Sequence, residues 1–571
     1  MKQVGDYGRY QKRLLFFVLV PVSLIAPFAL ESTLFMLSEP DHWCAVPEVA
    51  HLPWKEQQLL IRPEVKGSTK RDSCNYHDID YAVEIQRFNN YKAIHNSSAK
   101  FKVDNPSNKT KACSSWIFDN SSYDANAVTE FKLVCDGRTL KSTLLMMTGI
   151  GAMLGSLFFG YTAGRFGRKK MVLIAIFFSY VALIVPIFVR QVWVFVGARV
   201  VAVFFSCGIY DLAFLIIAEM VKPETRATLI GFSTTCWTIG MCILPLVAFL
   251  VRDWIPLMVI PAIMMFPFLS FVWVLPESPR WLVSKRRYTD AYNILTHIAQ
   301  VNGRVVSMDL IDQLKAINST RKLSKISNFT VNPDDNADTG NPFEVFKHGQ
   351  LRIRFVILVM AWISAYSTYG GLTLNFENFE GNEFMNWLLL SLVEFPSNLL
   401  SWYCMESVLG RRWTTSGSLV LGGLALCAPV FMSSATPILV TSLIGKFLTN
   451  IAFNSLYQQA VEMFPTPVRS QAASYASSSA SAATLGLPYV ISLGKGHVWI
   501  PLLVIGLISI TGGVATSFLP ETLDQNLPQT IEDGERLGSG RRFLSLATRD
   551  NMQRKRSMEK PRRSITLINY R

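Results

Sequence analysis

Five ionisable side chains stand inside stretches that are otherwise apolar: the acids Glu31, Asp211 and Glu394 and the bases Arg199 and Lys446. A charge at the centre of a membrane helix costs about 2.5–3.5 kcal/mol on insertion scales, so each needs a partner or a task. The task open to the carboxylates is to hold a positive group, because a carboxylate shielded from water attracts an amine far more strongly than one in bulk solvent. Aromatic residues occupy the same stretches: Tyr210 beside Asp211, Trp237, and Trp362, Tyr366 and Tyr369 close together. An aromatic face attracts ammonium by about 0.5–2 kcal/mol. The structural alternative is that acids pair with bases and the rings simply pack. Catalytic chemistry finds no support. There is no phosphate-binding glycine loop, metal-spaced His/Cys cluster or nucleophile elbow, and the seven histidines are scattered. Neither enzyme activity nor a cofactor is expected.

The elements carrying these residues are membrane helices. Half of the 571 residues are hydrophobic, 17% are charged, and the mean hydropathy is +0.27. The apolar residues gather in blocks near the ~20 residues that cross a bilayer. Spans are expected at roughly 14–37, 142–163, 171–189, 193–218, 227–250, 255–275, 352–373, 385–405, 414–432, 437–460, 471–494 and 498–519, about twelve in all. The first, preceded by Lys12 and Arg13, is too long for a cleaved signal and lacks a small-residue cleavage site. The net charge of +14 is concentrated in short loops after alternate spans and in the tail. That pattern places both termini in the cytosol and makes lipid headgroups, not nucleic acid, the partner of the basic residues.

Between the first two spans lies a polar segment, 38–141, with Cys44, Cys74, Cys113 and Cys135; the other five cysteines sit in apolar spans. Four clustered cysteines imply an oxidising compartment and up to two disulfides, in any of three pairings. The same segment carries glycosylation sequons at Asn96, Asn108 and Asn120, while Pro106 disqualifies Asn105. It is read as extracellular and the chain as a plasma-membrane protein. Sequons at Asn318 and Asn328 then fall in the cytosol and are expected bare. The expected organisation is a cytosolic start (1–13), a first helix (14–37), the extracellular domain (38–141), helices two to six (142–275), a cytosolic helical loop (276–351), helices seven to twelve (352–519) and a basic cytosolic tail (520–571). In the cytosolic loop, Ala291, Leu295 and Ile298 share one face of an amphipathic helix over Tyr288–Val301, with Gly303 as its stop.

An internal repeat ties the spans together. GRFGRKK (Gly164–Lys170) follows the second span and LGRRW (Leu409–Trp413) the eighth; EMVKPETR (Glu219–Arg226) follows the fourth and EMFPTPVR (Glu462–Arg469) the tenth; PESP (Pro276–Pro279) and PET (Pro520–Thr522) close the sixth and twelfth. Arg168 and Arg411, Glu219 and Glu462, and Glu277 and Glu521 are 243, 243 and 244 residues apart. The chain is therefore read as an all-α membrane protein of two pseudo-symmetric six-helix halves, the major facilitator plan, with a site near the midplane. Asp211 and Asn454, each eight residues before its glutamate, are symmetry mates on the fourth and tenth helices. Glu31 and Tyr369 correspond on the first and seventh.

These landmarks resemble the organic cation, carnitine and organic anion transporters of the major facilitator superfamily, over nearly the whole chain. VTEFKLVC (Val128–Cys135), PESPRWL (Pro276–Leu282), VEFP (Val393–Pro396) and the E-x-F-P-T-x-V-R string at Glu462–Arg469 carry the likeness. The resemblance implies alternating access without ATP hydrolysis, helices one, four, seven and ten facing a central cavity, and Tyr210, Trp237, Trp362, Tyr366 and Tyr369 at or near an aromatic substrate cage. It places Ser481 where cation carriers tend to have Asp and anion or carnitine carriers Arg, and Asn398 where anion carriers tend to have Lys. The IGKF string (Ile444–Phe447) resembles carnitine carriers, so Lys446 is a candidate for a substrate carboxylate. Arg165, Arg168, Glu219, Arg411 and Glu462 correspond to the cytosolic gate. Two departures stand out: Gly164 replaces the usual Asp, and Ser407 and Val408 replace an Asp-Arg pair, with Glu406 alongside. The expected function is transport of a small organic cation or zwitterion by a monomer, with Na+ or H+ as the candidate coupling ion. Organic anion exchange and a non-transporting receptor on the same fold are the alternatives.

Overall fold

The computed structural model describes residues 4–5, 7–64, 71–95, 101, 103, 109–221, 223–304, 347–465, 468–495, 497–523, 525, 528 and 531–537. The sequons at Asn96, Asn108, Asn318 and Asn328 and the tail beyond residue 537 lie outside the described residues; Asn120 is exposed.

Ten helices among the described residues are long and apolar enough to cross a bilayer. They are α1 (Arg9–Met36), α2 (Arg138–Phe166), α3 (Arg168–Phe188), α4 (Val192–Glu219), α5 (Pro223–Val251), α6 (Trp254–Val274), α7 (Gly349–Leu374), α9 (Gly410–Cys427), α10 (Ala435–Met463) and α12 (Trp499–Thr516). The eighth and eleventh expected spans are each broken in two. The pieces are α8a (Glu383–Leu392) with α8b (Glu394–Glu406), and α11a (Arg469–Ala483) with α11b (Leu487–Ser492). The breaks fall within or beside the spans expected at 385–405 and 471–494. A proline ring collides with the carbonyl four residues back and offers that carbonyl no N–H. Pro396 acts in this way on Leu392, where α8a ends, and Pro488 on Thr484, where a 3-10 turn intervenes.

The chain divides into two compact units: residues 1–325, 374–391 and 485–501 form one, and 326–373, 392–484 and 502–571 the other. The boundary follows packing rather than the repeat. In the first unit Phe35 of α1 has ring centroids 5.3, 5.7 and 4.9 Å from Phe376, Phe384 and Trp387. Trp387 donates its indole N–H to the Met241 carbonyl at 3.1 Å, and Lys141 pairs with Glu377 at 2.7 Å. The core of this unit gathers Val18, Val22, Ile209, Leu212, Ala213 and Ile216. That of the second gathers Leu358, Trp362, Leu456, Ala460, Met463 and Ala476.

Small residues set the helix crossings, as in membrane bundles generally. A Cβ on Gly155 of α2 would lie 2.3 Å from the Phe204 carbonyl of α4. In the second unit a Cβ on Gly423 of α9 would lie 2.6 Å from the Gly506 carbonyl of α12.

The segment after α1 is a small domain of its own. Strands β1 (His42–Cys44) and β4 (Trp116–Phe118) pair antiparallel, as do β2 (Asn75–His77) and β3 (Thr110–Ala112). Trp43, Val49, Leu60, Ile61 and Phe88 fill its core, and disulfides join Cys44 to Cys113 and Cys74 to Cys135. Further along, the helix over Tyr288–Val301 buries Ala291, Leu295 and Ile298, and Gly303 follows at φ +70°.

Candidate substrate site

In the second unit, helices α7, α8b and α10 bring Tyr369, Glu394 and Lys446 together. Lys446 and Glu394 are both buried, with Nζ 3.4 Å from Oε1. The same Nζ donates to Thr373 Oγ1 at 2.9 Å and to the Tyr369 carbonyl at 3.4 Å, and lies 3.2 Å from the Tyr369 ring centroid. The Tyr369 hydroxyl donates to Glu394 Oε1 at 2.7 Å. The break at Pro396 helps to make this site: it leaves Glu394 in the first turn of α8b, where the helix dipole favours a negative charge.

Aromatic rings continue from this pair along α7 and α10. Phe453 lies 5.8 Å from Tyr369, 5.3 Å from Tyr366 and 5.5 Å from Trp362, whose ring also meets Tyr457 at 5.6 Å. The indole N–H of Trp362 is buried and finds no acceptor among the described residues. One turn beyond the ion pair, Asn398 Oδ1 accepts from Asn450 at 2.9 Å and from Asn454 at 2.8 Å. Ser481 spends its hydroxyl on the Ser477 carbonyl of its own helix. Phe453, Thr373 and Asn450 were not singled out from the sequence. Asn450 and Phe453 follow Lys446 by one and two turns of the same helix, and that spacing was the available signal.

The first unit does not gather its candidates into one cluster. Tyr210 meets Trp237 at 5.6 Å, and its hydroxyl lies 3.2 Å from Ser233, itself 2.8 Å from Ser23. Asp211 is exposed on another side of α4, 3.5 Å from Ser156 of α2. Successive residues of an α-helix point about 100° apart, so Tyr210 and Asp211 serve different surfaces. Arg199 is wholly buried against α1, donating to Thr33 Oγ1 at 2.8 Å and to the Ala29 carbonyl at 3.0 Å, and Glu31 is near enough to attract it.

The residues expected at a cytosolic gate fall in two matching clusters, one per unit. Arg168 pairs with Glu219 at 3.2 Å, while Glu277 accepts from the backbone N–H of Arg168 at 2.9 Å. Arg411 pairs with Glu462 at 3.3 Å, while Glu521 accepts from the N–H of Arg411 at 3.0 Å. Each glutamate thus caps a helix start just after a glycine of positive φ, Gly167 or Gly410. Glu406 also pairs with Arg411, at 3.0 Å. At the other departure, the Gly164 carbonyl accepts from the Trp281 indole at 2.9 Å, and Arg165 is exposed.

Residues 85–532 match the family model described as "Sugar (and other) transporter". The chain belongs to that family. It is a carrier by descent and not an enzyme. A carcinine transporter of Drosophila melanogaster is 29% identical, with 95% of this chain and 79% of the relative aligned. A beta-alanine transporter of the same organism is 29% identical (94% and 88%), and the human organic cation/carnitine transporter 2 is 28% identical (93% and 92%). Among solved structures, the proton:xylose symporter XylE shares 15% identity and a TM-score of 0.57, covering 93% of this chain and 99% of its own. The fold is that of the major facilitator superfamily, in a multi-pass membrane protein.

Proposed function

We propose that this chain carries small organic cations or zwitterions across the plasma membrane by alternating access. The observation that carries the reading is the buried carboxylate of Glu394, which continues into the rings of Tyr369, Phe453, Tyr366 and Trp362. A carboxylate at the end of an aromatic row suits an ammonium group, by charge at one end and by ring faces along the way. Lys446 and Glu394 offset each other's charge, so the aromatic rings are what tilts the site toward ammonium. The printed names of the relatives, which include carriers of carcinine, beta-alanine, organic cations and carnitine, support the same class.

In this reading substrate enters from outside, and Glu394, Lys446, Asn454 and the rings of the second unit hold it. The clusters around Arg168 and Arg411 grip and release at the cytosolic face. The pairing of Arg168 with Glu219 and of Arg411 with Glu462 favours a working carrier over a receptor that has lost its gate. The segment 38–141 lies outside with its sequons, both termini are cytosolic, the chain acts as a monomer, and sodium or protons supply the coupling. Uptake of an amine and amino-acid library by expressing cells, read by mass spectrometry with and without sodium, tests the proposal. Saturable uptake that Glu394→Gln abolishes at normal surface delivery is the expected result. Normal surface delivery with no uptake of any amine refutes it.

A further inference from the structure

Within the first unit, one side chain ties the start of α1 to a part of the chain nearly three hundred residues away. Asn302 directly follows the helix over Tyr288–Val301. Its own backbone is fixed there: its N–H donates to the Ile298 carbonyl at 3.0 Å, and Gly303 turns the chain away at φ +70°. The amide of Asn302 then meets the start of α1 at three points. Nδ2 donates to the Val4 carbonyl at 3.0 Å and to Gln11 Oε1 at 3.1 Å, and Oδ1 accepts from the Tyr10 N–H at 3.0 Å. Gln11 is itself buried and completes the set: Nε2 donates to the Gly5 carbonyl at 2.9 Å, and Oε1 accepts from the Gly8 N–H at 3.1 Å. Val4 lies in a core with Trp281, Leu282, Ala291, Leu295 and Ile298, and Tyr10 meets His297 edge-on at 5.7 Å.

The fit selects asparagine. A backbone N–H only donates and a backbone carbonyl only accepts, so the side chain between Tyr10 and Val4 must offer an acceptor and a donor together. Aspartate would turn an oxygen on the Val4 carbonyl. Glutamine is one methylene too long, because a Cβ on Gly8 would already lie 2.2 Å from Asn302 Oδ1. What the amide fastens is a separable piece of α1. The turn Leu15–Leu19 is π-helical, between α-helical stretches over Arg9–Leu14 and Val20–Met36. Pro21 has no N–H to give to the Phe17 carbonyl, and interruptions of this kind are where helices bend. The stub Arg9–Leu14 thus stands on the far side of a joint from the rest of α1. Its first N–H groups have no acceptor within the helix, and Asn302 takes up that of Tyr10.

We infer that Asn302 is a positioning residue of the transport cycle: by clasping Val4, Tyr10 and Gln11 it makes the stub of α1 move with the helix over Tyr288–Val301 instead of pivoting at the π-helical turn. This rests on the carrier reading given above. The chain just before that helix is already fastened to α2, by the Trp281 indole on the Gly164 carbonyl, and to α3, by Glu277 on the Arg168 N–H. The clasp adds the start of α1 to the same frame. A stub that swings on its own must be brought back into place in each cycle, so releasing it slows turnover. No clasp residue belongs to the candidate substrate site, so the KM for solute is unaffected.

The test combines hydrogen exchange of the full chain in detergent with uptake of the amine and amino-acid library by expressing cells. In the unaltered chain the Tyr10 amide is expected to be protected, although the first amides of a helix ordinarily exchange freely. Rapid exchange there overturns the clasp without any variant. Asn302→Leu keeps the size and removes the polar atoms. It is expected to quicken exchange across residues 9–14 about tenfold, the worth of roughly one hydrogen bond. At equal surface delivery its maximal uptake rate should fall about threefold or more, with KM unchanged. Gly8→Ala presses a Cβ onto the amide and serves if Asn302→Leu does not fold. It should act like Asn302→Leu by itself and add nothing to Asn302→Ala, where the atom it strikes is gone. Quickened exchange with an unchanged maximal rate leaves Asn302 a merely structural role and overturns the proposal, as does a raised KM or additive loss in the double variant. In each of those cases uptake by the unaltered chain leaves the carrier reading standing. No uptake of any amine by the unaltered chain removes both.

Discussion

Arg199 and Asp211 lie on the same helix and present the two meanings an intramembrane charge can have. Arg199 is enclosed and donates to hydroxyls and a carbonyl of α1, so its task is to fix α4 against α1. Arg199→Ala leaves that polar set without its donor, and a loss of about 1–3 kcal/mol is expected. It should appear as reduced surface delivery and a lower Tm in detergent. Lysine restores the charge but not the planar fork, so Arg199→Lys should recover only part. Asp211 is exposed and has one marginal contact. Asp211→Asn removes an intramembrane charge that makes one marginal contact, so no loss of Tm or surface delivery is expected. Any fall in amine uptake by that variant then reports on substrate, and undiminished uptake removes Asp211 from the site. Trp362 adds a third case. A buried N–H without an acceptor costs about 1–3 kcal/mol, so Trp362→Phe removes a liability as well as ring area. Uptake that drops while Tm holds would mark the indole as a donor to substrate; unchanged uptake would mark it as packing.

At the scale of elements, the crossings and breaks of helices govern what the charges can do. The α2–α4 crossing depends on Gly155, where an added Cβ meets backbone rather than a movable side chain. Gly155→Ala should cost about 1–3 kcal/mol, the range for overpacking. A thermal melt equal to that of the unaltered chain would contradict this. The break before α8b has a different consequence. Pro396→Ala restores an N–H and permits one helix across Leu392, which turns Glu394 away from a helix start. Protein that is well folded but slower in amine uptake is the expected outcome. Unchanged kinetics would mean that the break does not position the acid.

For the molecule as a whole, the domain between α1 and α2 is the part held by covalent cross-links. Its disulfides close stretches of 69 and 61 residues. In the chain-entropy picture each contributes about 4 kcal/mol, so replacing either pair by serine should open the domain to proteolysis. Loss of the Cys74–Cys135 link should also loosen the start of α2, because Cys135 directly precedes that helix. His77 gives the domain a pH dependence. Burial, and then the neighbouring Arg71, hold its pKa below the ordinary value of 6.5. The unfolded domain therefore takes up a proton that the folded one resists, and stability falls as pH drops below about 6.5. Hydrogen exchange in the domain should quicken at pH 5.5 relative to pH 7.5, and His77→Gln should flatten that component. An unchanged pH response in the variant would show that His77 is not its source.

The apolar blocks, the positive loops and the repeated strings around Arg168 and Arg411 were legible because bilayer thickness and duplication act along the chain itself. The four cysteines of one segment and the helix at Tyr288–Val301 were legible in the same linear way, and the transporter family through its resemblance in strings such as Pro276–Leu282. The contacts each charge makes were another matter. Glu31, Asp211 and Glu394 look alike in sequence, yet only Glu394 meets Lys446, because α8 breaks at Pro396 and lies beside α7 and α10. Tyr210 and Asp211 are neighbours in the chain and strangers in space. The two cystine pairings, too, depend on packing: Cys113 N–H donates to the Cys74 carbonyl at 3.0 Å, yet Cys113 joins Cys44 and Cys74 joins Cys135. Hydrophobicity and helical period are one-dimensional quantities, whereas an ion pair or a disulfide depends on how separate elements pack.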